Sequence, residues 1–209
     1  MLVAFKFCGV NESKFTNVKQ PIQQPILMNV KEGREIATFA GGCFWCTEAV
    51  FLELKGVEKI VSGYTGGLIK NPSYSEICTG TTGHAEAIEI TYDPKLLAFE
   101  DLLEVFFDTH NPTTLNRQGA DAGTQYRSEI FYHSEAQKKT AEHYIALIEK
   151  EQLYEDPIVT KISAAVIFYV AEEYHQNYYN QNSSQGYCQM VISPKLEKLR
   201  KYYKKLLKN

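Results

Sequence analysis

From Glu35 onward the apolar residues come in short blocks whose spacing alternates between continuous and helical. Glu35-Ile36-Ala37-Thr38-Phe39-Ala40, closed by Gly41-Gly42, predicts a buried strand. Cys43 to Lys55 carries Phe44, Val50, Phe51 and Leu54 at helical spacing and stops at Gly56, which predicts a helix. Val57 to Tyr64 and Ala85 to Tyr92 predict two further strands, the second stopped by Asp93-Pro94. Between them, Gly66-Gly67 through Asn71-Pro72 is a loop. Phe99 to Thr109 predicts a helix rich in apolar positions, and Asn111 to Thr124 a long loop. Arg127 to Tyr132 reads as a strand, and Ser134 with Gln137 three residues on reads as a capping box opening a helix. Ile162 to Val170 is nearly all apolar and predicts a central strand. Glu172 to Asn180 predicts a short helix, and Ser193-Pro194 opens the last one.

This interleaving predicts an α+β, two-layer sandwich. Hairpin-like neighbours such as the second and third strands argue against a purely parallel sheet. Residues 1–33 have a different texture. Gln20-Pro21-Ile22-Gln23-Gln24-Pro25 breaks helix and strand alike, so this stretch is expected to be an arm, extended on the domain or partly disordered. The expected division is therefore 1–33 as an arm and 34–209 as one domain.

Composition narrows the function classes. With 44% hydrophobic residues among 209, a core can form. A net charge of -3 gives no general reason to expect nucleic acid, and no apolar run reaches the roughly 18 residues of a membrane helix. The last helix is basic, from Lys195 to Lys208, but its Leu196, Leu199, Tyr203, Leu206 and Leu207 form a stripe that reads as docking on the domain. Five cysteines are too few for a disulfide scaffold, and their odd number leaves one unpaired. Asn11-Glu12-Ser13-Lys14 offers no small-residue cleavage site after the first ten residues, so no signal peptide is expected and the location is read as cytoplasmic.

The chemistry concentrates in four segments. Gly41-Gly42-Cys43-Phe44-Trp45-Cys46 places a cysteine at a helix start, where open amides and the helix dipole favour a thiolate. Cys43 and Cys46 also fit a redox dithiol or half a zinc site. Zinc needs two more ligands at similar spacing, and Cys78 and Cys188 stand isolated, so no metal is expected. Glu172-x-x-His175 is half of a di-iron motif without a second copy, which leaves His175 on an ordinary polar helix face or near the C-terminal cysteine. Thr79 to Ala87 is glycine-rich but lacks the Gly-Lys-Ser/Thr ending of a phosphate loop. Within it, Glu86 lies in an apolar strand, where desolvation favours the neutral acid and makes it a proton donor. Asp121 to Ser128 sits at a loop-to-strand junction, and Tyr126 and Tyr74 each carry a hydroxyl suited to a polar ligand. Gln185-Gly186-Tyr187-Cys188 reads as a mobile coil, suited to a thiol that travels to a second sulfur.

Together, Gly42-Cys43-Phe44-Trp45, Gly63-Tyr64-Thr65-Gly66-Gly67 with Asn71-Pro72-Ser73-Tyr74, Gly83-His84-Ala85-Glu86, and Asp121 to Ser128 strongly resemble the A-type peptide methionine sulfoxide reductases over residues 34–193. The resemblance implies a ferredoxin-like core with a mixed sheet and reduction of methionine-S-sulfoxide, free or in proteins. It implies Cys43 as nucleophile, Glu86 as proton donor, Tyr74 and Tyr126 as hydroxyl donors and Asp121 as an assisting residue. Phe44 and Trp45 would clasp the substrate methyl, and Cys188 would resolve the oxidised Cys43. No cofactor is implied beyond an external dithiol, thioredoxin, and the enzyme is expected to be a monomer. One departure stands out: the position after the Trp is often Gly in the family and is Cys46 here, a second candidate resolving thiol. Cys188 is the expected resolver, because its family motif is present. The competing reading is a thioredoxin-like disulfide oxidoreductase using Cys43 and Cys46.

Overall fold

A computed structural model describes residues 31–208. The expected arm lies outside the described residues up to residue 30, as does Cys8. The chain runs β1 (Glu35–Gly41), α1 (Phe44–Leu52), β2 (Val57–Thr65), α2 (Tyr74–Cys78), β3 (Ala85–Tyr92), α3 (Phe99–Thr109), β4 (Arg117–Gln118), β5 (Asp121–Ala122) and β6 (Ser128–Tyr132). It continues through α4 (Glu135–Lys150), β7 (Lys161–Ala164), β8 (Tyr169–Val170), α5 (Tyr178–Asn182) and α6 (Ser193–Tyr202).

The main sheet has the order β7-β6-β1-β3-β2-β8. Its pairings are antiparallel except β6 with β7. Its inner four strands, β6-β1-β3-β2, with α1 between β1 and β2 and α3 between β3 and β6, form a ferredoxin-like split βαβ arrangement. The expected α+β two-layer sandwich with a mixed sheet is the architecture found. The mixed character comes from β7 alone, and the loop expected at 111–124 holds the small β4–β5 hairpin.

The period of two in β3 positions the site. Ile88, Ile90 and Tyr92 enter the core shared with α1 and α3, while Ala85 and Ala87 pack in a second cluster behind the sheet. Glu86 therefore shares the helix-covered face, directly under α1. Phe39 of β1 stacks on Phe106 of α3 with ring centroids 4.9 Å apart, fixing that helix on the same face.

The predicted central strand at 162–170 is corrected. It divides into β7 and β8, which form the two opposite edges of the sheet. The intervening residues cross behind the sheet, where Phe168 packs with Ala40, Ala85, Ala87 and Phe131. A continuous apolar run signals burial on both sides but not how that burial is achieved. The predicted helix at 172–180 is likewise divided, into a single 3-10 turn at Glu173–His175 and then α5. Asn177, between them, has a left-handed backbone with φ 50°.

Candidate active site

Cys43 owes its place to the turn before it. Gly42 has φ +93°, and a Cβ there would lie 2.5 Å from the Gln118 Cβ, so only glycine fits. This turn ends β1 and leaves Cys43 as the N-cap of α1, with extended ψ and no side-chain cap. The open amide at the start of α1 is then used: Phe44 N–H donates to Glu86 Oε2 at 3.1 Å. The helix start that carries the thiol is thus tied to the carboxyl in β3.

Glu86 is 2% exposed. Burial pushes its pKa up to about 8, outweighing the Phe44 amide that favours the charged form. This matches the expectation of a neutral acid at physiological pH. Cys43 departs from expectation. Burial, the neighbouring Cys46 sulfur and the Glu86 charge push its thiol up rather than down. Cys46 carries the lowered thiol, pulled to about 7 by a hydrogen bond from Cys43, with the Lys195 charge assisting. The physical reason is that a sequence motif shows the helix start and both cysteines but not the depth at which they are buried. The two thiols share one labile proton and titrate as a pair.

Around this pair stand the groups from distant segments. Tyr187 O–H donates to Asp121 Oδ2 at 3.0 Å and lies 3.6 Å from Cys46 Sγ. The β4–β5 hairpin brings Asp121 there, and burial raises its pKa. Trp45 N–H donates to His175 Nδ1 at 3.1 Å, and its indole stacks on Tyr178 with centroids 3.7 Å apart and planes 6° apart. Phe44 packs against Tyr64 and His175. Tyr74 opens α2, which a Ser73–Glu76 capping box starts. Its ring lies 4.3 Å from His175, and its amide donates to Glu172 Oε1. Tyr64 O–H takes Glu172 Oε2 at 2.8 Å. Tyr126 ends a 3-10 turn and enters the same buried cluster as Cys43, Trp45 and Cys188.

The mobile coil expected at Cys188 is corrected. Cys188 begins a π-helical turn, Cys188–Ile192, that runs into α6, and it is 0% exposed. Ser193 O–H bonds its carbonyl at 3.1 Å. The polar residues that read as coil spend their side chains in local bonds, such as Gln185 to Asn182 and Tyr178 to Gln185. Sequence reasoning also passed over Tyr187 as a group at the thiols, and over His175 and Glu172 as parts of the aromatic cluster. The Glu172-x-x-His175 spacing is the signal the sequence offers, and it leaves open a polar helix face or a place near the C-terminal cysteine without showing the contact with Trp45. Among the described residues, no cluster of three or more His, Cys, Asp or Glu is placed to hold a metal ion.

A family model described as peptide methionine sulfoxide reductase matches residues 35–207. The chain belongs to the peptide methionine sulfoxide reductase family. Similar reductases of the MsrA type include one from Deinococcus radiodurans, 57% identical over 170 residues, covering 81% of this chain and 82% of that protein. Another, from Chromobacterium violaceum, is 55% identical and covers 84% of this chain and 99% of the relative. Among solved structures, reduced Mxr1 from Saccharomyces cerevisiae superposes with a TM-score of 0.67 at 35% identity, covering 75% of this chain and 90% of that one. Methionine sulfoxide reductase A of Corynebacterium diphtheriae gives 0.66 at 33% identity, covering 78% and 84%. As a peptide methionine sulfoxide reductase, the protein is an oxidoreductase that returns methionine sulfoxide to methionine.

Proposed function

We propose that residues 34–209 form the catalytic domain and that Cys43 and Glu86 carry the reduction of methionine-S-sulfoxide. The observation that carries this reading is the hydrogen bond from the Phe44 amide to Glu86, a buried carboxyl whose raised pKa favours the neutral acid, at the helix start that carries Cys43. A sulfoxide sulfur is a poor electrophile until its oxygen is protonated. Cys43, deprotonated within the Cys43–Cys46 pair, attacks that sulfur as a thiolate and forms a sulfur–sulfur bond, while Glu86 gives its proton to the oxygen. The hydroxyl passes to the Cys43 sulfur as the sulfur–oxygen bond and the new sulfur–sulfur bond break, so methionine leaves and Cys43 becomes a sulfenic acid. Tyr74 and Tyr126 hydroxyls stabilise the oxygen as charge develops, and Asp121 holds the polar side through Tyr187. Phe44 and Trp45 form the apolar wall for the methyl group.

A second thiol then attacks the sulfenic sulfur, forming a disulfide and releasing water. Cys46 is the first partner, because it lies on the first turn of α1, three residues from Cys43, whereas Cys188 is held in a buried turn. Cys188 takes over the disulfide only when its π-helical turn opens. Thioredoxin supplies the two electrons that restore the thiols, and the cycle calls on no cofactor. Oxidised proteins and free methionine sulfoxide are the substrates, and a monomer in the cytoplasm is the working form. A thioredoxin-like disulfide exchanger has no substrate oxygen for a buried neutral glutamate to protonate, which favours the sulfoxide reaction.

The test is turnover of separated methionine sulfoxide epimers with dithiothreitol as reductant. Consumption of the S epimer alone is expected. Reduction of the R epimer at an equal rate would overturn the stereochemical reading.

A further inference from the structure

We infer that His175 is a positioning residue for the substrate wall, its Nδ1 holding the Trp45 indole so that the ring presents a fixed plane to the methyl group of the sulfoxide. The inference rests on the reading of Trp45 as that wall.

The donor and acceptor inventory decides the tautomer. An indole nitrogen can only donate, so the 3.1 Å contact from Trp45 Nε1 requires an unprotonated His175 Nδ1. The ring proton therefore sits on Nε2. Burial pushes the His175 pKa down to about 3, so the ring stays neutral at working pH. Nε2 is buried without a hydrogen-bond partner. The nearest carboxylate oxygen, Glu172 Oε2, is 4.0 Å away and already accepts from Tyr64. The other Glu172 oxygen accepts from the Tyr74 amide.

An apolar side chain of the same size would fill this space, at 0% exposure, without stranding a donor. What imidazole adds is the acceptor at Nδ1. Tyr178 covers one indole face and Tyr187 meets the ring at 78°, so these contacts and the His175 bond fix the ring from separate directions. With one face taken by Tyr178, at most the other is left for substrate.

The chain has one Trp and five His, so both rings are readable in the intact enzyme. Long-range 1H–15N correlation on reduced, 15N-labelled protein should show a pyridine-type Nδ1 and pyrrole-type Nε2 for His175. A trans-hydrogen-bond coupling to the lone indole N–H is expected as well. His175→Asn places an oxygen near the Nδ1 position, and its KM for methionine sulfoxide should stay close to wild type. His175→Leu should raise KM on the order of tenfold, the scale of one lost apolar fit, with a smaller change in kcat. Alkylation of Cys43 by iodoacetamide should be unaffected in both variants. A purely structural histidine would instead lower Tm without this KM-against-kcat split, which overturns the inference. A protonated Nδ1 in the wild-type spectrum overturns it without any variant having to fold. Trp45→Leu with unchanged KM, alongside the expected nitrogen shifts, would instead remove the wall reading on which the inference rests.

Discussion

Phe44 N–H and Glu86 Oε2 stand 3.1 Å apart, joining the first turn of α1 to the middle of the sheet. With one carboxyl oxygen occupied as an acceptor, the other is left to carry the acidic proton. Covering β3 with α1 both buries the acid and orients it beside the thiol.

Glu86→Gln keeps this shape and removes the proton. The methionine-forming step should slow by roughly a hundred- to ten-thousand-fold, the usual contribution of general acid catalysis. Single-turnover rates measured by rapid quench check it, and a wild-type rate would exclude Glu86 as the acid.

The same group sets a pH dependence. Its folded pKa of about 8 means the donor is present below that pH and lost above it, so the wild-type rate should fall as pH rises through about 8. Stability runs in the same direction. A carboxyl raised above its unfolded value of about 4.5 contributes stability that is fully present below that value and lost as pH rises through about 8. Glu86→Gln should therefore melt at a higher temperature than wild type at pH 7, with the difference shrinking towards pH 4. Calorimetry across that range reads the outcome.

Cys43→Ser should abolish sulfoxide reduction with the fold intact, since a hydroxyl is a far weaker nucleophile than a thiol at this pH. Methionine formation under excess dithiothreitol is the measurement, with circular dichroism as the fold control.

The two resolving candidates separate by mass spectrometry after one equivalent of substrate. A Cys43–Cys46 cross-link should dominate in wild type and persist in Cys188→Ser. Cys46→Ser should accumulate a sulfenic acid that dimedone traps, because Cys188 must first leave a buried turn. A dominant Cys43–Cys188 cross-link in wild type would reverse that order.

Glu48 is 2% exposed and accepts from the Asn177 and Tyr178 amides at 2.8 and 3.1 Å, fixing the entry to α5. Glu48→Ala strands both donors and should cost roughly 2–4 kcal/mol in urea denaturation. Loss of Tyr178 from the Trp45 face should follow, seen as a shift in the emission of the single Trp.

The sequence alone determined the elements whose signals are local. Gly41-Gly42 before Cys43 announced the strand end and helix start, which stand in the structure, and the apolar setting of Glu86 announced the burial that raises its pKa. The four ordered motifs carry the family resemblance in the sequence alone. Tertiary structure decided everything that depends on what a residue meets across the chain. Whether residues 162–170 form one strand or two edges depends on which strands lie alongside. The polar stretch before Cys188 looked mobile because hydrogen bonds such as Gln185 to Asn182 leave no trace in composition. The thiol chemistry belongs to Cys43 and Cys46 together, because burial and their mutual proximity make the two titrate as a pair. His175 reached the aromatic cluster because a turn 130 residues from Trp45 folds back onto α1. Periodicity and capping act between near neighbours and are written in the sequence, whereas burial, proton sharing and tautomer are set by groups that only the fold brings together.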